Sequence, residues 1–289
     1  MRVTFASFGE HIASSRLRAL IPQRELAKTG IGRGNDVLIY GKHILPEEGL
    51  RGFGKRIFDI CDDHFHTPGL RDYYLTHAES ADAITCNSEV MRQRIKEETG
   101  REAIVVREPY ESPERLPAIG PKLLWFGHAS NLPDLNRILP SLKYPLLALS
   151  NHPDCVEWTP QAFSTAITEP CIVIIPTGKS LAKSENRFVE AVRRGRFVCA
   201  EHLPAYEQFG HYMPLGDIPA HIEAALEYPE AAKQSILAAQ DYIRDRYSPE
   251  TIAKEWLGVI NGVVNVTPTF PGPDVPGMRG ANPEGLGNR

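Results

Sequence analysis

The segment 171–200 constrains the fold of this chain more than any other part of its sequence. It reads CIVIIPTGKSLAKSENRFVEAVRRGRFVCA and opens with a short apolar run that Pro176 and Gly178 end, as expected of a buried parallel strand. A polar loop follows, and then a helix that we predict to start with Ser184 as its N-cap and to end at Gly195. A second apolar run, FVCA, begins another strand. Strand–helix–strand units of this kind build parallel α/β sheets.

The loop before the predicted helix is suited to bind a phosphate. A helix N-terminus presents unpaired N–H groups and the positive end of the helix dipole. Four side chains of this loop can bind an oxyanion: Lys179, Ser180, Lys183 and Ser184. Because Asn186 and Glu190 are four residues apart, they share one face of the helix. An ordinary helix start that binds nothing is the alternative, and a P-loop is excluded because Val173 stands where that motif needs glycine.

The composition limits the class of protein. The chain has 289 residues, 42% of them hydrophobic and 24% charged, which suits a globular protein of one large or two modest domains. Its net charge is −4, and no basic stripe indicates nucleic-acid binding. Five scattered cysteines without a CxxC pair argue against zinc and structural disulfides. With no signal peptide and no apolar run of about 20 residues, we expect a cytoplasmic protein without a transmembrane segment.

The alternating strands and helices fall into two series. In the first series we predict strands at 3–7, 36–40, 57–61, 82–86 and 103–106, with helices near 15–28 and 88–98. Pro22 should kink or split the first of these helices. The second series has predicted strands at 122–126, 144–150, 155–158, 171–175 and 197–200. It ends with predicted helices at 217–226, 231–246 and 249–264.

A proline-rich stretch, 107–121, separates the two series and predicts two consecutive α/β domains. We assign residues 1–112 to an N-terminal domain, 113–121 to the linker, 122–248 to a C-terminal domain and 249–265 to a final helix. Residues 266–289 contain five prolines and five glycines without an apolar period, which predicts a disordered tail.

One part of the sequence resembles a known family. The stretch KSENRFVEAVRRGRFVCA is similar to the donor-sugar-binding segment of GT-B-fold glycosyltransferases, which commonly combine a Lys/Ser/Asn-Arg helix start, a Glu-Ala pair, a glycine and a hydrophobic strand. The stretch YSPETIAKEW, residues 247–256, resembles the last helix of that family. The resemblance implies two Rossmann-like domains that face a cleft, with the C-terminal helix crossing back to the N-terminal domain.

The resemblance assigns roles within the opening segment. It implies that backbone groups around Ser184–Arg187 contact the diphosphate of a nucleotide sugar. The predicted substrate-binding residues here are Lys183, Ser184, Glu185, Asn186 and Arg187, with the charges of Lys183 and Arg187 beside the diphosphate. The resemblance also implies that Glu190 accepts hydrogen bonds from the ribose. Many retaining members carry an E-x7-E pair, and Glu190 matches its second glutamate. The first falls on Ala182, so this chain departs from the pattern at the position that contacts the donor sugar.

Polar residues follow the predicted strands of the first domain, where they would face the cleft. The stretch DICDDHF carries Asp62, Asp63 and His64 and resembles an acceptor-side segment of other GT-B members. Any of the three could orient or deprotonate an acceptor hydroxyl, while loop capping is the alternative. A metal site that also includes His66 is not favoured, because adjacent residues of one short loop rarely complete a set of ligands. Arg16 could bind a phosphate or an anionic acceptor, or lie in solvent at a helix start.

Three further loops carry weaker signals. Gly127 permits close backbone approach after the first strand of the second domain, and in related enzymes this glycine loop lies beside the donor phosphates. His128 follows where those enzymes often have a basic residue; it could bind phosphate or cap the next helix. The stretch 156–158 resembles the lining of the nucleobase pocket, with an ordinary edge strand as the alternative. Lys42 and His43 follow the second strand and have the weakest case.

These patterns lead to one functional expectation with alternatives. We expect a hexosyl- or pentosyltransferase that moves sugar from a nucleotide-diphosphate sugar to an acceptor hydroxyl. The nucleotide sugar is then a co-substrate, and no cofactor or metal is expected. A saccharide or lipid-linked saccharide is the expected acceptor; hydroxymethylated DNA bases, on which compact viral GT-B enzymes act, are a second option that the charge does not favour. The alternative functions are a catalytically inactive GT-B-like binding protein and, less favoured, a nucleotide-sugar epimerase.

Overall fold

The computed structural model describes residues 1–41, 45–178 and 181–265, with the backbone alone at Glu47. The predicted disordered tail, 266–289, lies outside the described residues. So do Lys42 and His43 of the second loop and Lys179 and Ser180 of the phosphate-loop prediction. Within the described ranges, no helix has the length and apolar character needed to cross a membrane.

The first half of the chain forms a parallel five-stranded sheet whose neighbouring strands follow chain order. Its strands are β1 (Arg2–Phe5), β2 (Gly32–Tyr40), β3 (Lys55–Ile60), β4 (Ala83–Cys86) and β5 (Ile104–Val105). Its helices are α1 (Ala13–Ser15), α2 (Ile21–Lys28), α3 (Glu47–Leu50), α4 (Leu70–Ser80) and α5 (Glu89–Thr99). The apolar runs that predict these strands are the buried strand interiors of the sheet.

A π-helical turn, Arg16–Leu20, joins α1 to α2. The Ile21 N–H bonds the Arg16 carbonyl at this turn. Pro22 has no N–H of its own, and in a regular helix its ring would clash with the carbonyl four residues earlier. The wider π turn accommodates the proline. The expected kink or split at Pro22 therefore takes the form of a π turn immediately before it.

The helices of this domain lie on both faces of its sheet. Helices α3, α4 and α5 contribute to one apolar cluster with Leu38 and Phe58, whereas Leu26 of α2 packs with Val37 and Ile57 on the opposite face. All strands are parallel and in chain order, so every crossover moves in the same direction across the sheet. The crossover through α2 therefore has the opposite hand to those through α3, α4 and α5. One of these two hands is the uncommon left-handed one.

The second half forms another parallel five-stranded sheet. Its strands are β6 (Lys122–Phe126), β7 (Leu146–Ser150), β8 (Val156–Glu157), β9 (Cys171–Ile175) and β10 (Phe197–Ala200), in the order β10-β9-β6-β7-β8. Its helices are α6 (Leu132–Ile138), α7 (Pro160–Ala166), α8 (Asn186–Arg193), α9 (Ile218–Glu227) and α10 (Pro229–Tyr247). Chain order reverses between β6 and β9. Sheets of this type bind ligands beyond the carboxyl ends of the strands at such a reversal.

Helix α8 starts two residues later than the predicted cap. Its N-cap is Glu185, without a side-chain cap bond, so the prediction of Ser184 as N-cap is wrong. Ser184 interacts instead with the carboxyl group of Glu108, which is buried and needs a donor. The predicted end is correct: Gly195 has a φ of +72°, and a Cβ there would lie 2.3 Å from the Leu116 carbonyl oxygen.

The last helix, α11 (Pro249–Asn265), lies on the sheet of the N-terminal domain. Trp256 packs its ring edge-on against Phe5 with centroids 5.3 Å apart, and Ile260 joins the same apolar cluster. Arg107 begins the whole proline-rich stretch 107–121, which is called the linker from here on, and it pairs with Glu255 of this helix. Helix α11 therefore lies beside α2 on the same face of the first sheet, the face that contains Val37 and Ile57.

Candidate functional site

The loop between β9 and α8 reaches from the C-terminal domain to the N-terminal domain. Ala182 is 8% exposed and packs into the apolar cluster that contains Phe65 and Tyr74 of the first domain. Two residues later, Ser184 contacts Glu108 at the start of the linker. The loop therefore spans the cleft, and Lys183 lies between these two contacts.

Two cations stand at the start of α8. The Lys183 Nζ donates to the Asn131 side-chain oxygen at 2.5 Å, and Arg187 Nη1 lies 3.5 Å from the Phe126 carbonyl oxygen at the end of β6. Burial, with Arg187 alongside, lowers the pKa of Lys183. Neither cation has a carboxylate of the described ranges within ion-pair distance. The arrangement is therefore a partly buried positive site that an anion would neutralise.

The carboxyl end of β6 forms the floor beside these cations. A Cβ on Gly127 would lie 3.2 Å from the Trp125 ring and 3.3 Å from Arg187 Nη1, so glycine keeps this space open. His128 is exposed, and its Nδ1 accepts the Ser130 N–H at 3.2 Å. The structure thus places Gly127 against Arg187, while His128 makes the contacts of a helix cap.

Glu190 is buried beneath the linker. It is 7% exposed and accepts the Glu111 N–H at 2.6 Å. Burial raises the pKa of its carboxyl group, and the Ser112 hydroxyl contacts it from the same segment. Because the linker covers Glu190 here, its predicted contact with a ribose requires these linker contacts to be exchanged for ribose hydroxyls.

Glu185 and Glu108 form a buried pair of carboxyl groups. Glu185 is 4% exposed, and burial raises its pKa to about 7, with the nearby Glu108 acting in the same direction. Burial also raises the pKa of Glu108, which Asn87 and Ser184 contact. The pair joins the N-terminal domain, the linker and α8, while Asn186 lies half-buried at the first position of that helix.

The two aspartates and the histidine predicted as catalytic candidates in the first domain have different neighbours. Asp63 pairs with Arg94 at 3.4 Å, and His64 Nδ1 lies 3.2 Å from the Thr67 hydroxyl. Asp62 instead acts electrostatically on Lys183: Asp134 of α6, and after it Asp62, oppose the lowering of the pKa of Lys183. Of the three candidates, Asp62 is thus the one whose charge acts on Lys183. The described part of the chain contains no group of three or more His, Cys, Asp or Glu side chains able to hold a metal ion.

Arg16 connects the N-terminal domain to the linker and to the C-terminal domain. Its Nε lies 2.7 Å from the Glu111 carboxylate, and its Nη1 donates to the Glu10 carbonyl at 2.6 Å. Its guanidinium lies 5.8 Å from the ring centroid of Trp158, which follows β8. Arg16 therefore closes the side of the cleft that contains Glu190.

Comparisons with known proteins identify the architecture. No family model and no curated protein matches the chain. Anabaena HepE in complex with UDP-glucose matches with a TM-score of 0.65 and 11% identity, over 90% of this chain and 99% of that one. The protein has the GT-B fold. The expectation of an α/β protein with two Rossmann-like domains in this arrangement is confirmed.

Two other glycosyltransferase structures show the same GT-B arrangement. A mutant of S. aureus TarM in complex with fondaparinux, α-GlcNAc-glycerol and UDP gives a TM-score of 0.53 at 12% identity, over 79% of this chain. The chain spans only 55% of the TarM chain. OtsA gives a TM-score of 0.55 at 9% identity, over 86% of this chain and 77% of that one. Likeness at these identities concerns the fold alone.

The structure also shows a buried ion pair that the sequence analysis missed. Arg18 Nη2 lies 2.6 Å from Asp59, both side chains are 5% exposed, and the Thr85 hydroxyl donates to the same carboxylate at 2.7 Å. The pair borders a narrow, solvent-open depression at the carboxyl ends of β1, β2 and β3. Asp59 inside the apolar run IFDI is a signal that could have found it, because a buried charge needs a partner.

Proposed function

We propose that this protein is a glycosyltransferase that binds a nucleotide-diphosphate sugar at the start of α8 and transfers the sugar to an acceptor hydroxyl. The observation that carries the proposal is the cation pair of Lys183 and Arg187, which has no carboxylate partner in the described ranges. A diphosphate supplies the missing negative charge, and Gly127 permits Arg187 to lie close to the end of β6. HepE, which has the same fold, is described in complex with UDP-glucose.

The proposed reaction needs charge stabilisation more than covalent chemistry. The acceptor oxygen forms a bond to the anomeric carbon, and the bond from that carbon to the diphosphate oxygen breaks. The electron pair of the broken bond leaves with the nucleoside diphosphate. Lys183, Arg187 and the first N–H groups of α8 stabilise the charge that develops there. Asp62 is the carboxylate of the first domain whose charge acts on Lys183, and we assign it the proton of the acceptor hydroxyl.

Glu190 is assigned to the ribose. Its carboxylate lies one helical turn beyond Arg187, on the face that the linker covers. Ribose hydroxyls can donate to it in place of the Glu111 N–H and the Ser112 hydroxyl. Donor binding would then shift the linker, and closure of the domains would exclude water from the reacting centre.

The acceptor is assigned to the surface around the narrow depression beside Arg18 and Asp59. It lies at the carboxyl ends of β1 to β3, and Cys61 on its rim directly precedes Asp62. Because the two charges bordering it already pair with each other, we favour a neutral hydroxyl-bearing saccharide or lipid-linked saccharide over a DNA base within its phosphate backbone.

A binding protein without transfer activity is the second candidate, and Ala182 favours it. This residue stands where many retaining members have a glutamate, and it is buried against the N-terminal domain. No carboxylate can act from that position. Donor binding without transfer or donor hydrolysis, across a panel of saccharide and lipid-linked acceptors, would identify this second function.

Calorimetry with UDP, GDP, ADP and TDP and their sugars tests the donor site. We expect at least one to bind, and Lys183→Ala to weaken its binding at least tenfold, about 1.4 kcal/mol. Lys233→Ala, which removes a surface lysine paired with Glu230 on α10, is the matched control and should leave affinity unchanged. If none of the nucleotides or sugars binds at millimolar concentration, both the transferase and the binding-protein proposals are refuted.

A further inference from the structure

We propose that Arg194 selects the nucleobase of the donor, favouring bases that present a carbonyl oxygen, such as uracil or guanine, over adenine. The inference rests on the donor site proposed above and extends it from the diphosphate to the base. It comes from the position of Arg194 at the C-cap of α8, from the groups that hold its guanidinium, and from the aromatic residues around it.

Helix α8 places Arg194 at the distance of the base. Arg187, Glu190 and Arg194 follow one another at intervals of three and four residues, so they lie along one side of the helix. At a rise of 1.5 Å per residue, Arg187 and Arg194 are about 10 Å apart along the axis. That is the order of distance between the diphosphate and the base of an extended nucleotide. With phosphate at Arg187 and ribose at Glu190, the base reaches Arg194.

The guanidinium of Arg194 is held by neutral hydroxyls. Its Nε donates to the Ser112 hydroxyl at 2.7 Å, and its Nη1 donates to the Ser164 hydroxyl at 3.2 Å. No carboxylate of the described ranges lies within ion-pair distance, although Glu190 and Glu111 act on Arg194 electrostatically. Burial lowers the pKa of Arg194. The side chain is therefore oriented by the linker and by α7 without being neutralised in an ion pair.

Aromatic side chains border the same region. The Arg194 guanidinium lies 5.6 Å from the ring centroid of Phe163 in α7. Trp158 lies just before the same helix and faces Arg16 of the other domain. Aromatic rings provide surfaces on which any base can stack, but they do not distinguish one base from another. Discrimination must come from a directional polar group, and Arg194 brings a charged donor of fixed orientation to this region.

The chemistry of the guanidinium sets the preference. Arginine donates hydrogen bonds and accepts none. Guanine O6 and the O4 of uracil or thymine can accept from it, whereas adenine presents a donor amino group at the corresponding position. Facing two donors toward each other in a partly buried site leaves both unsatisfied, which weakens binding. Arg194 should therefore discriminate mainly by rejecting adenine.

Calorimetry with UDP and ADP on four proteins tests this inference. We expect wild type to bind UDP at least tenfold more tightly than ADP, and Arg194→Met to reduce that ratio below threefold. Ser112→Ala removes one hydrogen-bond partner of the guanidinium but keeps Arg194 itself. It should therefore lower the ratio of UDP to ADP affinity less than Arg194→Met does. Arg246→Met removes an exposed arginine stacked on Tyr242 and should leave the ratio unchanged.

The results distinguish a wrong role for Arg194 from a wrong donor site. A wild type that prefers ADP, or an Arg194→Met protein that keeps the wild-type ratio, overturns the role of Arg194. If Lys183→Ala still weakens both nucleotides in that case, the donor site stands without the base assignment. A wild type that binds none of UDP, GDP, TDP and ADP refutes the donor site itself. Should Arg194→Met not fold, Arg194→Lys retains the charge without the planar fork and must also lower the ratio.

Discussion

The buried carboxyl of Glu185 makes stability depend on pH in a direction opposite to that of most acidic residues. Burial raises its pKa from 4.5 to about 7, so the folded protein holds a proton that the unfolded chain has already released. Stability from this group is complete below pH 4.5 and is lost as the pH rises through 7. Replacing Glu185 by Gln keeps the shape of the protonated side chain and removes the ionisation.

The size of the effect follows from the shift. Each pKa unit corresponds to about 1.4 kcal/mol, so a rise from 4.5 to about 7 means that ionised Glu185 costs about 3 kcal/mol of folded-state stability. Glu185→Gln should therefore be more stable than wild type by up to about 3 kcal/mol at pH 8.5 and by much less at pH 5. In melting temperature this difference is roughly 6 °C for a chain of this size.

Urea unfolding at pH 5, 7 and 8.5 measures the difference directly. Glu227→Gln, at an exposed position near the end of α9, is the matched control and should follow wild type at every pH. Glu108→Gln should also be more stable than wild type at pH 8.5, because burial raises the pKa of the Glu108 carboxyl group too. The reasoning fails if wild type and Glu185→Gln have the same pH dependence, since Glu185 would then titrate as an exposed acid.

Three further substitutions test the packing of α11, the donor site and the general base proposed for the acceptor hydroxyl. Trp256→Ala should lower the free energy of unfolding by about 3–5 kcal/mol in a urea titration, because it empties the contact of α11 with Phe5. Gly127→Ala should weaken UDP binding about tenfold in calorimetry, because its Cβ must displace Arg187 Nη1 from 3.3 Å. Asp62→Asn should slow transfer to an acceptor by about 10²–10⁴-fold with donor affinity retained, as removal of a general base does.

Each of these has a matched comparison. Val264→Ala on the exposed side of α11 should change stability by less than about 0.5 kcal/mol, and an equal loss there would contradict the packing argument. Asp63→Asn should retain most of the transfer rate, because Asp63 pairs with Arg94 whereas the charge of Asp62 acts on Lys183. Equal loss from the two aspartates would contradict the choice of Asp62. Unchanged UDP affinity in Gly127→Ala would show that the diphosphate does not lie beside β6.

The strands of the second domain could be predicted because their sequence signals are local. The runs at 122–126, 171–175 and 197–200 are apolar, short and bounded by proline, glycine or charge, and the structure has strands with these bounds. Helix α4 was not predicted: its stretch LRDYYLTHAES lacks a clear apolar period and is held by tertiary contacts of Tyr74 and Ala78.

The polar contacts of the site were less predictable because they join distant parts of the chain. The assignment of the loop before α8 came from its cations and its resemblance to a family, and the structure brings Lys183 and Arg187 to one place. That Glu190 is bonded by the Glu111 N–H cannot be read from either stretch, since the two residues are 79 positions apart. The prediction of Ser184 as the N-cap was wrong for the same reason: the Ser184 side chain interacts with Glu108, which is distant in sequence.

The placement of α11 has a mechanical consequence. The chain passes between the domains twice, once along the linker and once between α10 and α11, and the Tyr110 N–H bonds the Tyr247 carbonyl at 3.0 Å where the two passages meet. Two chain crossings that are hydrogen-bonded to each other at one side of the cleft act as a hinge. They allow the domains to rotate about that point and oppose their sliding or separation. The cleft then opens on the side away from this hydrogen bond, and under the proposed function that is the side by which a nucleotide sugar enters.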